Sequence, residues 1–572
     1  MTARPNTPAR GGVSDLHPLE ALALRLFGGL LAAGALVWLT GQLSALLFRG
    51  GWPRVAPSEI GAVAIRYPDH LGDPARAWPA GARELVPGPL AFYVTAAALV
   101  LPAIAAAAWW SLRRAGRAEA HDARWARLRD LRSLRARRRR RGRLSLGRVD
   151  GRLVSAEPRQ SVIVIGPTQT GKTTGFAIPA ILEWQGPVVA TSVKTDLVHE
   201  TLAARASLPG AKTWIYDPTS STGLPPAGWT PLREALTWQG AQRVADWLVR
   251  TARPARPDIE GAAFWYAAAA KVLAPILLAA ACSGGTMAQV VEWLDSQDPE
   301  PVHLALEAND EEEAINAYDA ISMWDERTRG SVYATAQTVL LAYSDPGVLA
   351  SAMTAELRAD HLLDGGRHTA YLCAPAHEQR RLQPLFATLV HEIVAHAYER
   401  SAETGKPLDP PLLLVLDECA NIAPLRDLAT LASTGAGQGI QLVSIFQDMA
   451  QIGSAYGPDR AATILANHRA KIILSGISDM PTLRYITQLL GRHKVRRHLT
   501  SIDADGRRTT TESIAERELA PENLLRQLTP GHGILVYGHL PPARIALRPW
   551  FKERRLRRLA GRGVFRPEAA LR

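Results

Sequence analysis

Three groups of residues in this 572-residue chain have the types and spacing for nucleotide chemistry. The first reads Gly166, then Pro167, Thr168, Gln169 and Thr170, then Gly171, Lys172, Thr173 and Thr174. Glycines at its two ends permit dihedrals and close approaches that a Cβ would block. Successive backbone N–H groups in such a loop surround a polyphosphate. Lys172 is spaced to reach the β- and γ-phosphates and Thr173 to put its hydroxyl on Mg2+. A helix opening near Thr173 would aim its positive end at the anion. The second group is Asp417 and Glu418, which close the apolar run 412–416. Asp417 would hold Mg2+ directly or through water, and Glu418 would orient or deprotonate the attacking water. The third is Gln447, which closes the run 441–446 and whose amide could meet the γ-phosphate or that water. The chemistry so specified is binding of ATP with Mg2+, followed by hydrolysis.

Such groups must be carried on strand ends. From about residue 148 the pattern alternates strand and helix signals, the mark of an α/β domain with a mostly parallel sheet. Strands are expected at 161–165, 188–193, 213–216, 369–373, 412–416, 441–446, 471–474 and 534–537. Between residues 216 and 369 no strand signal is convincing, and helical periodicity runs from about 231 to 353. An all-α domain is therefore expected to interrupt the α/β core. Phe264, Trp265 and Tyr266 could stack on bases. At the head of the apolar helix 267–281 they read as packing residues.

Composition narrows the class. The chain is 47% hydrophobic, which excludes a disordered protein, and carries a formal net charge of +12. Its three cysteines, Cys282, Cys373 and Cys419, are widely spaced and lack His or Cys neighbours at ligand distance, so neither a zinc site nor a disulfide framework is indicated. Between residues 113 and 143 stand fourteen arginines against three acidic residues, which leaves the rest of the chain near neutral. Two apolar runs, 26–48 and 90–112, are each long enough at ~1.5 Å per residue to cross a ~30 Å hydrocarbon core. The first exceeds the ~7–15 residues of a signal-peptide core. Trp38, Phe48, Tyr93, Trp109 and Trp110 lie mostly toward the ends of these runs, as an interfacial belt requires. The arginine-rich stretch after the second run puts both termini in the cytoplasm by the positive-inside rule, with 49–89 as a short outer loop. That stretch would hold anionic lipid at about 1 kcal/mol per residue; nucleic-acid phosphate is its competing partner. The run 137–141 lacks the aromatics of a base-stacking platform.

The order of these features resembles the TraG-type coupling proteins of bacterial conjugation and type IV secretion. Two N-terminal apolar spans are followed by G-P-T-Q-T-G-K-T-T and by V-V-A-T-S-V-K-T-D-L ending at Leu197. Next come F-W-Y-A-A-A in the helical insertion, L-L-L-V-L-D-E-C-A-N-I, and G-I-Q-L-V-S-I-F-Q-D-M-A-Q-I from Gly439. The resemblance covers roughly residues 20–552. It implies a RecA-like P-loop NTPase core with an inserted all-α domain and a transmembrane hairpin, anchored in the bacterial inner membrane with its ATPase domain in the cytoplasm. It further implies a homo-hexamer that takes a relaxase-bound DNA strand, or a protein substrate, to the channel proteins. The divisions so implied are a cytoplasmic segment 1–25, the hairpin 26–112, an arginine-rich linker 113–147, the ATPase domain 148–225 and 366–552, the insertion 226–365 and a basic tail 553–572. An FtsK/HerA-like or type VII-like membrane motor, or an ATP-binding scaffold with little turnover, remains an alternative. Two departures stand out. Family members commonly read D-P-K-G-E where this chain has 192–196, so Lys194 persists without the acidic residue. They often carry an arginine, suited to act across a subunit interface, where this chain has 433–438 with Ala436. Arg469 and Arg484 are the candidates to replace it. An arginine finger is worth ~10³–10⁵ in rate where it operates.

Overall fold

A computed structural model describes residues 18–118, 122–135, 142–193, 195–253, 261–502 and 508–561. Residues 137–141, Lys194 and the tail beyond 561, all invoked above, lie outside the described residues. The chain divides into two units, 1–122 and 123–572.

In the first unit, α1 (Pro18–Arg49) and α2 (Pro89–Ala118) contain the expected runs. Their stretches Leu31–Arg49 and Pro89–Trp110 are long and apolar enough to cross a membrane. Leu47, Leu90, Leu101, Ile104, Trp109 and Trp110 stay more than half exposed, an apolar surface that water would not favour. The connection expected to be a short loop is folded. It holds a helix, Pro57–Arg66, and a small core of Val63, Trp78, Val86 and Phe92. A Cβ at Gly41 would come within 2.0 Å of Trp78 Cζ2, so Trp78 lies directly on the α1 backbone.

The second unit is built on an eleven-stranded sheet. Its strands are β1 (Ser145–Val149), β2 (Arg152–Ser155), β3 (Val162–Ile165), β4 (Val188–Ser192), β5 (Thr213–Tyr216), β6 (Thr369–Cys373), β7 (Leu412–Leu416), β8 (Ile440–Phe446), β9 (Ala470–Leu474), β12 (His532–Tyr537) and β13 (Ala543–Ala546). The spatial order is β2-β1-β13-β12-β9-β3-β8-β7-β4-β6-β5. From β9 to β5 every pairing is parallel, while β12, β13, β1 and β2 extend the other edge antiparallel. Parallel strands covered on both faces are mostly apolar; every residue of β3, β7 and β8 is buried, Gln441 and Ser444 of β8 being the polar exceptions. Leu414→Ala in this layer would cost about 2–5 kcal/mol.

All eight expected strands occur. Missing from expectation were β1, β2 and β13, which are short and interrupted by arginine or glycine, and a separate antiparallel ribbon of β10 (Arg492–Ile502) and β11 (Arg508–Glu518). The boundary placed at 148 falls inside β1. Residues 123–135, assigned above to a linker, pack on this unit: Ala123 N–H donates to Arg492 O (3.1 Å) and Ala126 N–H to Pro542 O (2.7 Å). The Arg544 guanidinium lies 4.7 Å over the Trp125 ring.

The helices that matter for the site are α3 (Ile178–Glu183), α4 (Trp238–Ala252), α5 (Ala262–Cys282), α6 (Gln379–Thr404), α7 (Leu428–Gln438) and α8 (Met449–Tyr456). Between β5 and β6 every described element is helical. There α5 is a third segment apolar enough to span a membrane, but Val272, Leu273, Ile276 and Leu277 are wholly buried in the helical insertion. Trp265 and Tyr266 pack against that core as expected. Phe264 does not: it is 58% exposed, its ring 5.1 Å from that of Trp265.

Candidate nucleotide site

The carboxyl ends of β3, β8, β7 and β4 bring the first two groups together. Gly166 ends β3, and its N–H donates to Phe446 O at the end of β8 (3.2 Å). A Cβ on Gly166 would sit 2.8 Å from Leu474 Cβ, so this glycine serves close approach. Gly171 serves conformation, with φ +88°. Gln169 is also left-handed, φ +63°, and Thr170 Oγ1 donates to Pro167 O (2.8 Å), which closes the loop on itself. Pro167, Thr168 and Gln169 form its outer rim, Thr168 and Gln169 being exposed. Lys172 is 8% exposed, and its Nζ donates to Gly166 O (2.5 Å) and Pro167 O (2.7 Å) at the loop mouth.

After the loop the backbone makes a π turn over Thr173–Ala177, closed by Ile178 N–H donating to Thr173 O. Ordinary helical pairing would send Ile178 N–H to Thr174 O. Residue 179 is proline and has no N–H to give Gly175 O. Two carbonyls of this first turn are thereby freed, and a distant segment takes both. Trp550 N–H donates to Thr174 O (3.0 Å) and Arg548 N–H to Gly175 O (3.1 Å). Arg548, 2% exposed, then ties that strap down by bonding both oxygens of Glu183 on α3 (2.9 Å each) and of Glu553 (3.0 and 2.7 Å). Its guanidinium holds the Glu553 carboxyl below the usual range.

Asp417, at the end of β7, accepts from Thr173 Oγ1 through Oδ2 (2.8 Å). Thr191 Oγ1 of β4 donates to its backbone carbonyl (2.9 Å). Burial raises the Asp417 carboxyl to about 6; the Thr173 bond and Lys172 pull it down, while Glu418 and Asp196 push it up. This is a carboxylate short of positive charge. Beside a threonine hydroxyl, it suits a hard divalent cation whose other ligands are phosphate and water. Among the described residues no three His, Cys, Asp or Glu gather as an all-protein metal site, in keeping with that arrangement. Glu418 is left-handed, φ +53°, ψ +48°, and its Oε2 accepts from Asn421 Nδ2 (3.1 Å). Gln447 is half-buried at the end of β8, between β3 and β7, and its N–H donates to Gln451 Oε1 (2.8 Å). Sequence reasoning quoted Asn421 and Gln451 within the family motifs without giving them a role, and passed over the Arg548 strap. The signals were there in an amide three residues past the carboxylates, an amide four past Gln447, and Pro179 inside a helix.

Within one copy, the proposed replacements for the missing arginine make solvent-exposed ion pairs. Arg469 pairs with Glu157 (3.2 Å) and lies 5.5 Å over the Tyr537 ring. Arg484 lies 3.9 Å from Glu522. Ala436 sits on α7, which ends at Gly439 where β8 begins. With β8 rising ~3.3 Å per residue, that end lies roughly 23 Å along the strand from Gln447, so nothing on it serves the loop of its own chain.

Comparison with known proteins gives three results. The family model described as Type IV secretory system Conjugative DNA transfer matches residues 124–569. "Conjugal transfer protein TraG" of Escherichia coli is 26% identical over 404 residues, covering 65% of this chain and 62% of that one. "Protein VirD4" of Rhizobium rhizogenes is 25% identical over 417 residues, covering 69% and 59%. The chain thus spans about three-fifths of the length of these curated relatives. Among solved structures, the conjugative coupling protein TrwBdeltaN70 superposes with a TM-score of 0.58 at 18% identity, over 75% of this chain and 92% of that one. TrwB in complex with ADP and Mg2+ gives 0.58 at 19%, over 75% and 94%. At these identities the likeness carries the α/β P-loop NTPase-like fold.

Proposed function

This chain belongs to the type IV secretory system conjugative DNA transfer family, and from that premise we propose that it is a membrane-anchored ATPase of conjugation. It would spend ATP hydrolysis on delivering DNA, as a relaxase-bound single strand, to a type IV secretion channel. The observation that carries the reading is the 2.8 Å contact between Thr173 Oγ1 and Asp417 Oδ2. It joins a phosphate loop to a buried carboxylate strand, the pairing that a magnesium–nucleotide site requires.

In this reading the N–H groups of residues 166–174 cradle the phosphates, and Lys172 turns from Gly166 O and Pro167 O toward the β- and γ-phosphates. Thr173 and Asp417 hold Mg2+, whose charge offsets that developing on the transferred phosphoryl group. Glu418 takes the proton from the attacking water, and Gln447 contacts the γ-phosphate from β8. The core is RecA-like, and α1 and α2 span the inner membrane as a hairpin with the ATPase unit in the cytoplasm. The run 137–141 would meet anionic lipid, while Arg124 and Arg143 are bonded within the second unit. Copies of the chain would form a homo-hexamer, and at Ala436 this chain lacks the arginine that relatives often carry to act across such an interface. Turnover should therefore be slow for an enzyme of this kind.

The test is ATP turnover by the purified full chain in detergent, with and without single-stranded DNA, against Lys172→Ala and Glu418→Gln. DNA-stimulated turnover abolished by Lys172→Ala and cut to a small residual rate by Glu418→Gln supports the proposal. Binding of ATP without turnover would favour a scaffold that uses ATP as a structural ligand.

A further inference from the structure

Glu418 adopts a left-handed backbone that a residue with a side chain holds only when its surroundings impose it (φ +53°, ψ +48°). Those surroundings form a chain of amides. Glu418 Oε2 accepts from Asn421 Nδ2 (3.1 Å), Asn421 Oδ1 from Gln451 Nε2 (3.4 Å), and Gln451 Oε1 from the Gln447 N–H (2.8 Å). Two further bonds fix the frame: Gln451 N–H to Asp448 Oδ1 (2.7 Å), and Gln383 Nε2 of α6 to Asn421 O (2.7 Å).

The two ends dictate the polarity of everything between. A backbone N–H can only donate, so the Gln451 atom facing Gln447 must be oxygen, and its nitrogen then faces Asn421. The Asn421 atom receiving it must be oxygen, so its nitrogen faces Glu418, whose carboxylate can only accept. Reversing either amide would leave two acceptors or two donors in contact. The relay has a single allowed sense, and it joins the carboxylate at the end of β7 to the end of β8. The same strand end is bonded to the phosphate loop, through Phe446 O and Gly166 N–H.

We infer that Asn421 and Gln451 are positioning residues, a directional amide relay that sets the Glu418 carboxylate and links it to the Gln447 end of β8. The inference rests on the proposed role of Glu418 as base. The bond is to the Gln447 backbone N–H, so the relay registers the Glu418 carboxylate to the strand end from which the Gln447 side chain would reach the γ-phosphate.

Isosteric substitutions cut the relay at chosen links. In Gln451→Glu the new carboxylate still accepts from Gln447 N–H but has nothing to donate to Asn421. Asn421 must then reverse and present its oxygen to Glu418. The expected result is a 10–100-fold fall in kcat with ADP·Mg2+ affinity within twofold of wild type, and no further fall when Gln451→Glu is added to Glu418→Gln. Asn421→Asp, which sets two carboxylates together, should fall at least as far with the same indifference in the Glu418→Gln background. Unimpaired kcat in both variants overturns the relay. So does a loss of equal size in both backgrounds, or one matched by lost ADP·Mg2+ affinity, since either marks a structural role. Wild-type turnover in Glu418→Gln overturns the base assignment instead, and the relay with it.

Discussion

Arg548→Met separates the strap from the phosphate loop, and its cost can be worked from the geometry. Arg548 is 2% exposed and satisfies two carboxylates, Glu183 and Glu553, whose side chains are only 10% and 19% exposed. Methionine fills most of the volume, so the loss is electrostatic. Removing one partner of such a buried pair costs about 3–5 kcal/mol, because the charge left behind loses its counter-ion where water reaches it poorly; Ser145 Oγ still donates to Glu183 (3.1 Å). Here two acidic groups are left facing one another, and Arg148 stays only on the Glu553 side (2.9 Å). The upper half of that range is expected. With an unfolding entropy near 2.1 cal/mol/K per residue over about 450 residues, 1 kcal/mol moves Tm by roughly 1 °C, so the fall should be about 4–5 °C. ADP should also bind more weakly, because the segment whose backbone N–H groups meet Thr174 O and Gly175 O is no longer tied down by the Arg548 side chain. Scanning calorimetry of the full chain with and without ADP·Mg2+ measures both effects, and adding Glu183→Gln should recover about half of the stability. A Tm within 1 °C of wild type would refute the reasoning, and so would a Glu183→Gln addition that lowers it further.

Other perturbations have equally definite outcomes. Gly166→Ala forces a Cβ to 2.8 Å from Leu474 Cβ, and Gly171→Ala puts a side chain at φ +88°; both should lower nucleotide affinity at least tenfold by titration calorimetry, with little change in Tm. Glu392, buried and bonded to Trp229 Nε1 (2.8 Å), is pushed by burial up to about 8. The folded chain therefore keeps a proton that the unfolded chain releases above about 4.5, and stability falls as pH rises from there through 8. Glu392→Gln keeps an acceptor for Trp229 and should reduce the drop in Tm between pH 6 and pH 8.5; an unchanged drop would exclude Glu392 as its source. His468, held by Ile464 O and Ser444 Oγ (2.7 and 3.0 Å), is depressed by burial to about 4. It is neutral when folded and charges on unfolding, so stability is lost as pH falls from about 6.5 toward 4; His468→Gln should soften that acid limb in urea titrations.

The parts of this molecule legible in its sequence are those where one residue type has one physical use. A buried parallel strand has to be largely apolar, which is why β3, β7 and β8 stood out, and a glycine, lysine and threonine at fixed offsets define a loop before any fold is known. The β10–β11 ribbon gave no such signal. Its strands are dominated by charged and polar residues with a few scattered apolar ones, and read as surface. The strap was hidden for another reason: Arg548 and Trp550 act through backbone N–H groups on carbonyls nearly four hundred positions away, and only the π turn and Pro179 create that need. The amide relay was hidden likewise. Asn421 and Gln451 are unremarkable as types, and their use depends on β7 and β8 lying side by side. Sequence also offered Arg469 as a stand-in for the missing cation, and its partners within one copy, Glu157 and the Tyr537 ring, come from segments far away in the chain.

The most direct test of the central claim is the frequency of DNA transfer from donor cells whose own copy of this chain is replaced by Lys172→Ala, at membrane abundance equal to wild type. If ATP bound at Gly166–Thr174 powers delivery, transfer should fall by at least a hundredfold and return with the wild-type chain. Transfer at the wild-type frequency would contradict the account.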